Sequence, residues 1–235
     1  MVAEKRVLVI YFSFSSQTRN LIRSIIAGLE EKDMVVRTEV IRPVEPLHFP
    51  LGNYFRTVRM MLLTSIRQPR MEIEPIGDQC LEEYDLVLLA GPTWSYNPSA
   101  PMLSFLRRDG KRVLRGKKVV PLISCRGYWR LHLWGLKRLL RRCQATILAP
   151  IIFTHTTSEP WRTIGVFLKM AGKVPESNKS WFRRFYPKYG HNRDQIATAR
   201  LLGTSIAISL KGGKKLEEMS FETPVPFKRV CRKRG

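Results

Sequence analysis

Residues 6–18 read RVLVIYFSFSSQT, and how this stretch is understood decides the fold. Arg6–Phe12 is apolar after its basic start and partly β-branched, as expected of a strand buried on both faces. Thr18–Lys32 carries Leu21, Ile22, Ile25, Ile26 and Leu29 at helical spacing, which gives one apolar face to dock on a sheet. Between strand and helix lie Ser13, Ser15, Ser16, Gln17 and Thr18. Small hydroxyl residues at a helix N-terminus leave backbone N–H groups free and add O–H donors. With the helix dipole they make a phosphate site that needs no lysine. Ordinary N-capping by Ser or Thr is the alternative reading of the same residues.

The pattern continues outward. Val35–Ile41 reads as a strand whose alternating charges suit a sheet edge, and Asp85–Gly91, Val119–Cys125 and Ile147–Thr154 read as three more buried strands. Helical stretches at Pro101–Arg108 and Trp129–Cys143 lie between them, and Asp194–Leu210 forms a last helix. Strands alternating with helices of this length imply parallel β-α-β units with both sheet faces covered. Residues 1–210 are expected to form one α/β domain, followed by a basic tail over 211–235. Two insertions, about 43–83 and 156–190, exceed the minimal unit. The first contains an apolar and basic run from Tyr54 to Arg67, and the second holds Trp161, Phe167, Trp181, Phe182, Phe185, Tyr186 and Tyr189. Long insertions in a compact domain serve as lids, binding loops or docking surfaces.

In an open parallel sheet, ligands bind outside the carboxyl ends of the strands. The next loops to weigh are therefore those after the third and fourth strands. Pro92, Thr93, Trp94, Ser95, Tyr96 and Asn97 follow the third, and Trp94 and Tyr96 are candidates to stack on a flat ring. Ser124, Cys125, Arg126, Gly127 and Tyr128 follow the fourth, where a glycine permits close backbone approach to a planar ligand. Taken singly, the first of these loops could be a rigid Pro-bounded connection and the second a tight turn.

The three loops together resemble the flavodoxin-like family, whose first loop reads S/T-x-S/T-G-N-T. Ser13, Ser15, Gln17 and Thr18 fall into that pattern, and GPTWSYNPSAPMLSFL (Gly91–Leu106) is similar to the family's second loop and following helix. The departures are Ser16 for glycine and Gln17 for asparagine. The resemblance implies a three-layer α/β/α sandwich on a five-stranded parallel sheet of order 2-1-3-4-5. It also implies that the first loop holds the phosphate of FMN while the next two bracket the isoalloxazine. A narrower likeness, in VEPLHFP (Val44–Pro50), RGKKVVPLISCRGYW (Arg115–Trp129) and the insertion lengths, is to the flavodoxin-like proteins known as dialkylresorcinol condensing enzymes.

Charge adds a second theme. The chain carries 41 Lys+Arg against 19 Asp+Glu, a net +22. Residues 1–125 hold 18 basic and 13 acidic residues, and 126–235 hold 23 and 6, so the C-terminal half sets the field. Such a field attracts phosphates, whether of nucleic acid, anionic lipid or a nucleotide. No nucleic-acid motif accompanies it, which disfavours that partner. In Tyr128–Arg142, Trp129, Leu133, Leu136 and Leu140 can face the sheet while Arg130, Lys137, Arg138, Arg141 and Arg142 face out. This reads as a solvated basic face or as an amphipathic surface on anionic lipid, with Trp134 at the interface.

Cys80, Cys125, Cys143 and Cys231 show no metal spacing and suit a reducing compartment. No paired Cys/His or HExxH pattern indicates a metal. The Val7–Phe12 run is too short for a signal peptide, and no stretch reaches the roughly 18 apolar residues of a membrane span. A cytoplasmic location, with peripheral membrane contact open, follows as the expectation. His155 could donate a proton at the site, Cys125 invites a nucleophilic role without a visible base, and His48, His132 and His191 look scattered. The leading expectation is an FMN-dependent oxidoreductase acting on a hydrophobic or aromatic small molecule. NAD(P)H is a candidate reductant whose phosphates the basic half suits, although no Rossmann glycine fingerprint is present. A flavodoxin-type electron carrier, and a basic binding protein for membrane surface or nucleic acid, are the rivals.

Overall fold

The computed structural model describes residues 4–66, 71–177, 179, 181–213 and 221. Apart from residue 221, the expected basic tail beyond Gly213 lies outside the described residues. Parallel strands β1 (Arg6–Tyr11), β2 (Val35–Val40), β3 (Leu86–Trp94) and β5 (Lys118–Cys125) run in the order β2-β1-β3-β5. The fifth position is shared by two short strands, β6 (Thr146–Ile147) and β7 (Ile151–Thr154), both parallel to β5.

Alternation along each strand divides the core into two layers. Val7, Val9, Leu86 and Leu88 face one way, onto α1 (Gln17–Glu30) and α7 (Arg193–Lys211). Leu8, Ile10, Val87 and Leu89 face the other way, toward Phe105 of α3 (Ala100–Arg108) and Leu136 and Leu140 of α5 (Trp129–Arg142). A short α4 (Gly110–Leu114) follows α3. Burial of both strand faces explains their near-continuous Val, Leu and Ile content, and truncating one such leucine to alanine costs about 2–5 kcal/mol. Helices α1 and α7 approach closely because both carry a glycine at the contact. A Cβ on Gly28 would lie 2.0 Å from Arg200 O, and one on Gly203 would lie 2.1 Å from Ile25 O.

Two strand expectations are corrected. Ile147–Thr154 is not one strand: β6 pairs with Lys118 and Val119, β7 with Leu122–Cys125, and the ladder breaks between them. Pro150 lies in the gap and has no N–H to give a ladder bond. β3 runs past Gly91 to Trp94, because Thr93 and Trp94 pair antiparallel with Asn97 and Pro98 of β4 in a tight hairpin. That hairpin makes Trp94 a strand residue and puts Tyr96 in the turn.

The insertions supply α2 (Tyr54–Ile66) and α6 (Trp161–Met170). They meet each other: Leu51 N donates to Met170 O at 2.7 Å, and Tyr54 stacks on Phe167 at 5.7 Å between ring centroids. Two chain segments about a hundred residues apart thus form one cover over the carboxyl edge of the sheet.

Candidate functional site

A pocket opens at the carboxyl ends of β1, β3 and β5. From the first loop, Ser15, Gln17 and Thr18 line it; from the second, Pro92, Thr93, Trp94 and Ser95; from the third, Ser124, Cys125 and Arg126. Ser13, Ser16, Tyr96, Asn97, Gly127 and Tyr128 sit beside the lining rather than in it. Ser13 Oγ accepts from Arg19 N at 3.2 Å and Ser16 Oγ from the Arg19 guanidinium at 2.8 Å. Tyr96 is exposed in the hairpin turn and packs edge-on against Tyr128 at 5.5 Å. Gly127 lies where a Cβ would meet the Arg162 guanidinium at 2.8 Å.

The first loop has the makings of an anion cradle. Ser16, the N-cap of α1, has φ 63° and makes no side-chain cap, and of the first-turn N–H groups that of Arg19 donates to Ser13 Oγ. No acidic residue stands in that turn. The left-handed Ser16 explains why glycine suits this position, since a Cβ there carries a conformational cost. Gln17, longer than asparagine by one methylene, reaches across the pocket to accept from His191 N at 2.9 Å. Gly190 (φ 85°) makes room for it, because a Cβ on Gly190 would fall 2.0 Å from Gln17 Oε1.

Over the loops lies an apolar roof. Phe49 packs edge-on to Phe14 at 5.2 Å and stacks with Tyr189 at 5.7 Å. Met60 and Met61 of α2, and Val166, Phe167 and Met170 of α6, complete it. Ser95 Oγ donates to Met61 O at 3.1 Å, tying the second loop to the first insertion. Trp94 lines the pocket, yet its ring is wedged edge-on among Phe12 and Phe14, each at 5.8 Å, and is 8% exposed.

Beneath the pocket run buried polar contacts that involve histidines thought scattered. Gln195 Nε2 donates to Thr154 O at 2.7 Å, which turns its Oε1 toward His191 Nδ1 at 3.3 Å. A carbonyl oxygen only accepts, so Nδ1 carries the proton and Nε2 accepts from the Ser124 hydroxyl at 2.8 Å. Gln195 also forms a capping box with Asn192 at the start of α7. The sequence signal for this was Asn192-x-x-Gln195 after Gly190-His191. Such a capping box starts a helix, and in a parallel α/β sheet helices start at the ligand edge. His132 Nδ1 lies 2.7 Å from Thr93 Oγ1. His155 stacks on Tyr186 at 5.2 Å; the N–H groups of Thr157 and Gly190 approach its Nδ1 and Nε2 at 3.2 and 3.1 Å, and a neutral ring accepts from one of the two.

Burial holds all three rings neutral. It lowers His132 from 6.5 to about 3, and His155 and His191 to about 4. For His155 the neighbouring His191 and Arg162 add to the effect. Burial pushes the Cys125 thiol up to about 12, so it is no thiolate nucleophile near neutral pH. Arg126 is the pocket's cation and has no carboxylate partner among the described residues. Among those residues no group of three or more His, Cys, Asp or Glu could hold a metal, and no helix is long and apolar enough to cross a membrane.

No protein-family model matches the chain, and no curated protein matches it. Solved structures do. A candidate flavoprotein from Bacteroides eggerthii DSM 20697 is 18% identical, with a TM-score of 0.51 over 73% of this chain and 100% of its own. A flavodoxin from the domain Archaea is 14% identical, TM-score 0.48, over 88% of this chain and 99% of its own. A Lactobacillus acidophilus NCFM flavoprotein in complex with FMN is 15% identical, TM-score 0.47, over 63% of this chain and 93% of its own. The narrower likeness to dialkylresorcinol condensing enzymes gains no support from these matches. Strand order, two-sided helical cover and the first of these likenesses agree: the chain has the flavodoxin-like fold.

Proposed function

We propose that this protein binds FMN and uses it to oxidise or reduce an apolar, aromatic small molecule held under the roof. The observation that carries the reading is one pocket with two chemistries. A serine-rich helix N-terminus forms one wall and an apolar cover built by both insertions forms the other. The phosphate would sit on the first-turn N–H groups of α1 with Ser15 and Thr18, where the helix dipole favours an anion. The donor set fits such a group, since the turn carries no acid and Ser16 does not cap it. Ser124 gives its proton to His191, which leaves its oxygen free to accept from an N–H on a bound ring. Arg126 would offset negative charge at the polar edge of such a ring. FMN, when bound, supplies the electron chemistry, and the chain supplies orientation and exclusion of water. NAD(P)H is the reductant class we would test first, with the basic C-terminal half as the source of attraction for its phosphates.

A flavodoxin-type carrier is the less economical reading. A carrier exposes its flavin edge to a protein partner, whereas here Phe49, Tyr189 and the methionines of α2 cover the pocket.

The test is an absorbance spectrum of the purified protein, then fluorescence titration of the apo form with FMN and with riboflavin. We expect FMN to bind tightly and Ser15→Asp to weaken it by about a hundredfold, since the added carboxylate faces the phosphate. Riboflavin, lacking that phosphate, should lose far less. Absence of flavin bands together with absence of quenching by FMN would remove the proposal.

A further inference from the structure

We propose that the outer face of the roof docks on an anionic lipid bilayer, so that the pocket opens at the membrane surface. The inference goes beyond flavin binding and does not depend on it. Helix α2 turns Thr57, Met60 and Met61 inward, yet its outward face is also apolar. Phe55 is 75% exposed and Leu62 is 55% exposed, and Val58 and Leu63 lie exposed beside them. Positions 55, 58 and 62 fall on one helical stripe. The second insertion adds Trp181, 74% exposed, and Ile164 of α6. A protein in water does not gain from presenting an apolar helical stripe on the outside of a pocket cover.

Charge selects the occupant. Arg56 and Arg59 are exposed on α2 beside the apolar stripe, and neither α2 nor α6 contains an acidic residue. Of the 19 acidic residues, Asp85, Glu82, Glu31 and Asp33 are paired at the far end of the sheet, and Glu159 and Glu176, which flank α6, are neutralised by Arg162 and Lys169. An apolar stripe flanked by arginines is the pattern of a helix lying in an anionic lipid interface. A second copy of this chain would bring the same arginines against each other, so the surface disfavours self-association. Helix α5 presents a different face. Its exposed Leu131 and Trp134 stand among Arg130, Arg138, Arg141 and Arg142 and are not part of the pocket lining.

The test is co-flotation of the full chain with vesicles of equimolar phosphatidylglycerol and phosphatidylcholine, against vesicles of phosphatidylcholine alone, at physiological salt. We expect binding to the anionic vesicles and weak binding to the neutral ones. Phe55→Ser with Leu62→Ser keeps the net charge and should weaken binding by at least about tenfold, because buried apolar area is lost while the electrostatic pull is unchanged. Trp181→Ser alone should weaken it several-fold. FMN titration of the same variants should match the parent, which separates failure here from failure of the flavin reading. Parent protein that ignores anionic vesicles would overturn the proposal. So would variants that bind as tightly as the parent, or a Leu131→Ser variant that loses as much. Sedimentation that finds a dimer in the parent and a monomer in Phe55→Ser/Leu62→Ser would assign the face to a second copy instead.

Discussion

The floor and the roof of the pocket are built by opposite means. The floor is mostly backbone: three strand ends, a left-handed serine and an acid-free helix N-terminus, held in place by packing far below the pocket. The roof is mostly side chain, with Phe49 leaning on Phe14 and Tyr189 and with Tyr54 on Phe167. A backbone floor can approach a ligand closely and tolerates little displacement. A side-chain roof can be re-shaped residue by residue and still cover the site. We therefore expect cofactor affinity to be governed by the floor and substrate choice by the roof. The seam between them is small and polar: Gln17 to His191, Ser124 to His191, and Gly190 to His155.

The buried histidines, two in that seam and His132 beside Thr93, give the largest expected effect. His132, His155 and His191 have values near 3, 4 and 4 in the folded protein against 6.5 when free. Where the folded value lies below the unfolded one, the unfolded chain binds more protons in the interval between them. Stability is then complete above about pH 6.5 and is lost as pH falls toward 4. With three such groups, the loss approaches about 4 kcal/mol per pH unit in that window. Urea denaturation at a series of pH values measures it. His155→Gln, on the roof side of the seam, should reduce the slope by about one proton. A flat profile between pH 7 and 5 would mean that these rings are protonated or solvent-linked, and the seam would not be the rigid joint described.

The next largest effect tests how the floor is held. Gly28→Ala places a methyl group 2.0 Å from Arg200 O, and backbone cannot step aside as a side chain can. We expect a loss of about 2–4 kcal/mol by denaturant titration, with FMN affinity falling too if the loop before α1 holds the phosphate as proposed. Phe49→Ala makes the complementary test on the roof. It should lower kcat/KM for an apolar aromatic substrate by about tenfold while changing FMN affinity by less than about threefold. Equal losses in both quantities would erase the distinction between floor and roof.

Much of the floor was legible in the sequence, because each part obeys a local rule. Buried strands are continuous apolar runs, α1 shows its docking face by spacing, and a ligand edge follows from parallel topology. Even the departures Ser16 and Gln17 pointed at real features, a left-handed position and a side chain with another task. The roof was legible only as excess length and aromatic content. Which rings meet depends on contacts between segments about a hundred residues apart, such as Leu51 with Met170, and no local pattern encodes these. Tyr96 shows the limit from the other side. In a linear reading it stands beside Trp94, but a two-residue antiparallel pairing turns it out of the pocket onto Tyr128. His191 escaped notice because its partners, Ser124 and Gln195, are joined only through the fold.

The smallest expected effect bears on the floor at its tightest point. Ser16 holds φ 63°, a conformation that costs a residue with a Cβ on the order of 1 kcal/mol, and its hydroxyl is spent on Arg19. Ser16→Gly relieves that cost but gives back a comparable amount through the greater freedom of glycine in the unfolded chain, so stability should change by less than about 1 kcal/mol. Binding has no such offset. Removing the Cβ lets the phosphate seat closer to the first-turn N–H groups, and loss of the hydroxyl frees the Arg19 guanidinium to reach it. FMN affinity should therefore rise a few-fold by fluorescence titration, with riboflavin affinity unchanged. If riboflavin gains as much as FMN, the improvement comes from a general loosening of the loop, and the first turn of α1 is not where the phosphate rests.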